Sequence, residues 1–428
     1  MRVKNHRGPE ERKRRPSRLL RQERRRWDDD TQSPLALGCP PCPELGKCGG
    51  KHTKQHGLSC LEECCGNPSG CEAVCPNNPE QFVARVREIN GFELGNIPRA
   101  DKLVTADLPV YAPHLYHGYR REAPLQTDAV AIPLHALYGR RNGALRFPDR
   151  DAVAKKFKLH PDTKIILVGS GFDPAIEAWW KLSDGRRSLI GLLASHGYEL
   201  VTSPNYSLFT NQLRYDDMHS MKRIGIVQQE FAAGGIPCAL HVNARTPKDY
   251  ERWAQYLRER DEITHISAEF ATGLKWPLRR AFHLHHMKWL SEYVGRPLHL
   301  TMIGGTEALP TLAPAFSQVT FVDAVPFVKA VNRQQVTEGN DLKLQHHSAK
   351  TERDAPIDEL LANNIGVARN RIGRVVSEAC AEHAAGRTAP MPKIPEKKAS
   401  APDAQSSIRD ADPKSSTHDR LTETEGRR

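Results

Sequence analysis

Short apolar, β-branched runs recur along the middle of the chain, at residues 108–111, 129–133, 164–168, 199–202, 237–242, 264–268, 298–303 and 319–322. From residue 164 onward, segments with helical spacing of apolar positions separate them, at 187–196, 217–233, 247–258, 277–293 and 306–313. Strand, helix, strand in alternation predicts a parallel sheet joined by right-handed crossovers. Eight candidate strands between residues 108 and 322 predict an α/β fold of the (β/α)8 TIM-like barrel type. A doubly wound open parallel sheet is the alternative. The repeat of architecture has no matching repeat of sequence motif.

The flanks lose this pattern. Residues 1–35 read as a disordered basic arm, 36–80 as a cysteine-rich module and 81–335 as the barrel, with a short helix near 80–90 leaving the module. Between 356 and 384, Ile357, Leu360, Leu361, Ile365, Val367, Ile372 and Val375 mark one amphipathic helix. Residues 385–428 are rich in Lys, Ser, Pro and Asp and read as a disordered tail.

Charge changes the picture at one end only. Residues 1–26 carry 12 Lys/Arg against 3 Glu, a net of +9 of the chain's +11. The body is thus nearly neutral, and nucleic acid is a candidate partner of the arm. No run approaches the ~18 apolar residues of a membrane span, and no apolar segment follows the basic N-terminus as in a secretory signal. The chain therefore reads as cytoplasmic, without a membrane partner.

Eight of the ten cysteines fall between Cys39 and Cys75: Cys39, Cys42, Cys48, Cys60, Cys64, Cys65, Cys71 and Cys75. So dense a thiol cluster with so few large apolar residues needs a staple to fold. In a reducing compartment that staple is metal rather than disulfide. Cys39-Pro-Pro-Cys42 is a tight turn that presents two thiolates to one ion, as in structural zinc sites. Cys39, Cys42 and Cys75 each precede a proline, a feature of iron–sulfur runs, although the ferredoxin spacing is not reproduced. Zinc is preferred; an iron–sulfur cluster is the alternative.

In a barrel, chemistry belongs where the strands' carboxyl ends meet the following loops. Asp173 follows the third run and Asn205 the fourth. The fifth ends His241-Val-Asn243-Ala-Arg245, which alternation places on one side, inward if Val242 packs outward. Glu269 ends the sixth run, and Gly304-Gly305 follows the seventh. Glu269 or Asp173 suits a general base and His241 a proton shuttle. Asn205, Asn243 and Arg245 suit substrate binding, and the Gly304-Gly305 backbone suits a phosphate. The His283-Leu-His285-His286 run reads as helix surface, and Trp179-Trp180 as core or lid.

The stretch Thr202-Ser-Pro-Asn205-Tyr-Ser-Leu-Phe209, followed by Lys222-Arg223 and by Gly234-Gly-Ile-Pro-Cys-Ala-Leu-His241, resembles the bacterial and phage family known as domain of unknown function 4417. The likeness covers residues 160–330 at most and departs after the fifth strand, where His241-Val-Asn243 replaces that family's aromatic. It implies kinship but no activity. The sequence thus predicts a barrel enzyme acting on a phosphate-bearing substrate, such as a nucleotide or nucleic acid. The competing prediction is a non-enzymatic nucleic-acid-binding protein that uses the arm and the cysteine module.

Overall fold

The computed structural model describes Cys39, Leu45 and residues 79–208, 214–271, 277–339, 344–349, 351–352 and 354–387. The basic arm, seven of the eight clustered cysteines and residues 388–428 lie outside the described residues. Cys39 is buried.

Eight parallel strands form the sheet: β1 (Tyr111–Pro113), β2 (Ala129–Pro133), β3 (Lys164–Val168), β4 (Leu200–Thr202), β5 (Cys238–His241), β6 (His265–Glu269), β7 (His299–Ile303) and β8 (Gln318–Asp323). Their order, β1-β8-β7-β6-β5-β4-β3-β2, runs once around. A bridge between His114 and Ala131 brings the last strand back to the first, with the Leu115 N–H donating to the Ala131 carbonyl at 2.9 Å. The sheet is a nearly closed (β/α)8 TIM-like barrel.

Helices fill most crossovers: α1 (Pro79–Glu88) before the barrel, then α2 (Arg150–Phe157), α3 (Asp173–Lys181), α4 (Gly185–Ala194), α5 (Arg214–Ala233), α6 (Pro247–Arg258), α7 (Pro277–Val294), α8 (Leu309–Leu312) and α9 (Val325–Val331). No helix separates β1 from β2. The vacant outer face is covered by the C-terminal helix α10 (Asp358–Ala384), which packs on α8, α9 and β1. Leu361, Ile365, Ala368, Ile372, Val375 and Ala379 fall at helical intervals and form its buried stripe. Asp358 pins its start by accepting from the Glu122 and Ala123 N–H groups. An antiparallel hairpin, β9 (Gln334–Glu338) with β10 (Leu344–Ser348), joins α9 to α10.

Strand alternation divides the core in two. Outward side chains meet the helices, as where Trp179 stacks on Phe231 with ring centroids 5.2 Å apart. Trp180 is buried too, beneath the Arg186 and Arg223 guanidiniums. Inward side chains fill the lumen in layers set by the register. His265, His299 and Gln318 align at the amino end, then His241, Ser267, Thr301 and Thr320, then Glu269, Ile303, Val322 and Ala112 at the carboxyl end. The β2–β5 side of the lumen is apolar and partly small, with Ala129, Ala131, Ile166, Val168, Leu200 and Ala239. The β5–β8 side carries the polar groups. Among the described residues no helix is long and apolar enough to cross a membrane.

Candidate functional site at the barrel mouth

The loop after β4 ties together the carboxyl ends of three other strands, β3, β5 and β6. Its Asn205 donates from Nδ2 to Glu269 Oε2 at 3.2 Å and accepts at Oδ1 from Asn243 Nδ2 at 2.7 Å. Asn243 in turn accepts at Oδ1 from Arg245 Nη1 at 3.1 Å. The result is a directional chain, Arg245 to Asn243 to Asn205 to Glu269, that runs from a buried guanidinium to a carboxylate at the end of β6. Ser207 of the same loop donates to Asp173 Oδ1 at 2.8 Å, so the second carboxylate belongs to the β3 side of the rim. A cavity of about 40 Å³, room for a water or two, is lined by Asn205, His241, Asn243, Tyr250 and Glu269 among others.

Local sequence explains how this chain is held. Thr246-Pro247-Lys248-Asp249 starts α6 with a reciprocal cap: Asp249 N–H donates to Thr246 Oγ1, and Asp249 Oδ2 accepts from the Thr246 N–H. The same Oδ2 accepts from the Arg245 N–H at 2.8 Å, which fixes the backbone beneath the guanidinium. Arg245 also donates to the Leu208 and Ala244 carbonyls. Burial pushes its pKa down to about 10 against the pull of Asp217 and Asp249, so it stays charged at neutral pH. The residue expected to clamp an anion instead anchors the network, its guanidinium committed to the protein's own acceptors.

His241 faces the lumen, with Val242 packed outward as expected. Its Nδ1 lies 3.1 Å from Ser267 Oγ, and burial pushes its pKa down to about 3. At neutral pH it is a neutral imidazole that orients its neighbours rather than a group waiting for a proton.

Gly304 and Gly305 sit at the seventh strand's end with φ of +67° and +76°. A Cβ on Gly305 would lie 2.3 Å from Phe270 Cβ, and one on Gly304 2.9 Å from Ala271 Cβ. The Gly304 N–H donates to the Val322 carbonyl at 3.0 Å. The pair is thus explained by a left-handed turn packed tightly against the loop after β6. We expect Gly305→Ala to lower stability by about 1–3 kcal/mol through overlap and strain. A urea melt of the variant checks this; a midpoint equal to wild type would contradict it.

The opposite wall contains residues that sequence reasoning missed. His114, just past β1, is buried, and its Nε2 has no hydrogen-bond partner among the described residues. Burial, with His135 nearby, pushes its pKa down to about 4. His135 follows β2 and is lowered as well, by burial first and then by the Arg140 and Arg146 charges. Tyr116 stands 4.7 Å from the His114 ring and is half-exposed. Its phenol is pushed up by burial and by the Glu269 and Asp323 carboxylates, so the two walls face each other across it. Asp323, at the end of β8, accepts from the Val325 N–H at 2.8 Å, and burial raises its pKa to about 6. The signal was the run Tyr111-Ala-Pro-His114-Leu-Tyr116, in which the polar pair follows directly on the strand's end at Pro113.

The histidine run on α7 divides: His285 is exposed as expected, whereas His283 is buried with its Nδ1 2.7 Å from the Tyr250 hydroxyl. Among the described residues no cluster of three or more His, Cys, Asp or Glu side chains is arranged to hold a metal ion. No protein-family model matches the chain, and no curated protein matches it.

Proposed function

We propose that the protein is an enzyme whose Glu269 carboxylate moves a proton to or from a phosphate-bearing substrate bound at the barrel mouth. The observation that carries this reading is the hydrogen-bonded chain Arg245–Asn243–Asn205–Glu269. It draws on the ends of three strands, ends at the mouth and borders a cavity. Building so many buried polar groups into one network costs stability unless each is satisfied. The return on it is a carboxylate held in one orientation, which general base catalysis requires.

Asp173, fixed by Ser207, stands as a second carboxylate on the β3 side. Asn205 and Asn243 position Glu269 and hold polar substrate groups beside it, with His241 as an orienting imidazole. Arg140 and Arg146 on the loop after β2 supply the positive charge that a phosphate needs, a part the sequence had suggested for Gly304-Gly305. The cysteine module is read as a zinc or iron–sulfur site from its thiol spacing, and the basic arm as a contact for nucleic acid, both from sequence. The likeness to domain of unknown function 4417 adds no chemistry.

The test is a depletion experiment. Wild-type protein is incubated with a mixture of nucleotides, sugar phosphates and short oligonucleotides, and the mixture is followed by mass spectrometry. We expect one phosphate-bearing species to be consumed by wild type and consumed about 10²–10⁴-fold more slowly by Glu269→Gln. Equal consumption by the two proteins would overturn the assignment.

A further inference from the structure

The mouth has two unlike walls. The β4–β6 wall carries the Glu269 network. The wall built by the loops after β1, β2 and β3 is aromatic and basic. Phe172, in the loop after β3, is 51% exposed, an unusual position for a phenylalanine beside a strand end. The Arg140 guanidinium lies over one face of its ring, 5.3 Å from the centroid, and the His135 ring meets it edge-on at 5.5 Å. Arg146 donates to the Ala136 carbonyl on the same loop, and neither Arg140 nor Arg146 pairs with a carboxylate among the described residues. Two further polar atoms on this wall are buried without a hydrogen-bond partner among the described residues: His114 Nε2 and Ser170 Oγ. Ser170 precedes Phe172 by two residues, and His135 lies against Gly171, where a Cβ would come within 3.5 Å of its ring.

Each element points to the same kind of ligand. An exposed ring held by a cation and an imidazole offers a flat surface on which a heteroaromatic base can stack. Unpaired arginines beside it offer charge-assisted hydrogen bonds to a phosphate. Buried polar atoms without partners are costly, and a ligand edge carrying donors and acceptors would satisfy them. A sugar phosphate would use the cations but leave the ring uncovered. A purely aromatic ligand would leave the arginines unused.

We propose that the β1–β3 wall of the mouth is a nucleotide platform: Phe172 stacks the base, Arg140 and Arg146 receive the phosphate, and His114 Nε2 and Ser170 Oγ meet the base edge. The inference rests on the reading of the mouth as the active site and narrows its phosphate-bearing substrate to a nucleotide unit. That unit arrives either as a free mononucleotide or within a single strand, since both present the same base and phosphate.

The experiment measures binding to the full-length protein by three probes: thymidine monophosphate, a fluorescein-labelled oligothymidylate of about 12 nucleotides and inorganic phosphate. Thymidine monophosphate is expected to bind more tightly than phosphate, and Phe172→Ala to weaken it by about tenfold or more, the usual worth of one stacked base. Phe172→Tyr, which keeps the ring, should retain binding. Arg140→Ala combined with Arg146→Ala should weaken all three probes and reduce the dependence on salt. The basic arm adds strand binding of its own, so dependence on Phe172 is the deciding reading. Tighter, Phe172-dependent binding of the oligothymidylate identifies a strand as the source, and equal binding identifies the free nucleotide. Phosphate binding as tightly as thymidine monophosphate, or Phe172→Ala binding like wild type, overturns the platform and leaves the Glu269 reading in place. Phe172-dependent binding together with wild-type turnover by Glu269→Gln does the reverse.

Discussion

Acidification from pH 7 to about pH 4 is expected to unfold the barrel, because four histidines are held neutral inside it. Burial pushes His241 and His299 down to about 3, and His114 and His265 down to about 4. The His265 and His299 rings lie 4.6 Å apart at the amino end of the lumen. Thr320 Oγ1 gives its proton to the Pro109 carbonyl, so His299 Nε2 must donate to Thr320, which places the neutral ring's proton on Nε2. A folded pKa below the unfolded value of about 6.5 contributes stability that is complete above that pH and is lost as pH falls towards the folded value.

Each such histidine costs roughly 1.4 kcal/mol per pH unit in that window. Asp323 acts in the opposite sense. Its pKa, raised by burial to about 6, makes its ionised form a burden above pH 6 that lifts on acidification. For these five groups the net is about three protons taken up on unfolding, or roughly 4 kcal/mol per pH unit, and buried His283, also lowered, adds in the same sense; together they exhaust a typical domain's 5–15 kcal/mol within a few units. Urea melts followed by circular dichroism at a series of pH values check this. Stability that is flat from pH 7 to about pH 4 would contradict it.

Glu230→Ala should be the most damaging single change on the outer layer, with a loss of about 3–5 kcal/mol. Arg186 on α4 donates from Nε and Nη2 to Glu230 on α5 at 2.8 and 2.9 Å, and from Nη1 to the Trp180 carbonyl at 2.6 Å. Both side chains are over 90% buried, and the guanidinium lies over the Trp180 ring. Removing the carboxylate leaves a desolvated cation without its hydrogen-bonded counter-charge, whereas removing both charges does not. The double variant Arg186→Met, Glu230→Leu should therefore recover most of the loss, since apolar replacement of a buried pair is often near neutral. Chemical denaturation of the single and double variants separates the cases. A single variant within about 1 kcal/mol of wild type would show the pair to be no more than a surface bridge.

The barrel was legible because parallel strands buried on both faces must be short, apolar and β-branched, and the helices between them amphipathic. β2 and β3 fall where the apolar runs place them, and α6 starts at its capping box. The β1–β2 crossover was not legible. Its covering helix is α10, more than 200 residues away, and local sequence carries no sign of that substitution. The same region hid His114. Reading β1 at 108–111 rather than Tyr111–Pro113 stops the strand short of Ala112 and His114, the positions that its inward register carries to the lumen.

On the other wall, period-two alternation carried the inward placement of His241, the last residue of β5. It could not show that Arg245 would be used up on the Leu208 and Ala244 carbonyls, because that depends on where the loop after β4 folds back. Gly304-Gly305 shows the complementary limit. A tight turn packed against Phe270 and a phosphate cradle select the same residues, and only the Gly304–Val322 hydrogen bond and the occupied space distinguish them.

The central claim is that Glu269 is the base at the mouth, and chemical rescue tests it most directly. Glu269→Ala should keep the wild-type melting temperature while turnover of the consumed phosphate-bearing species falls by about 10²-fold or more. Added formate, small enough to enter the vacated space, should restore turnover in proportion to its concentration. Glu269→Ala turning over at the wild-type rate, with no response to formate, would contradict the account.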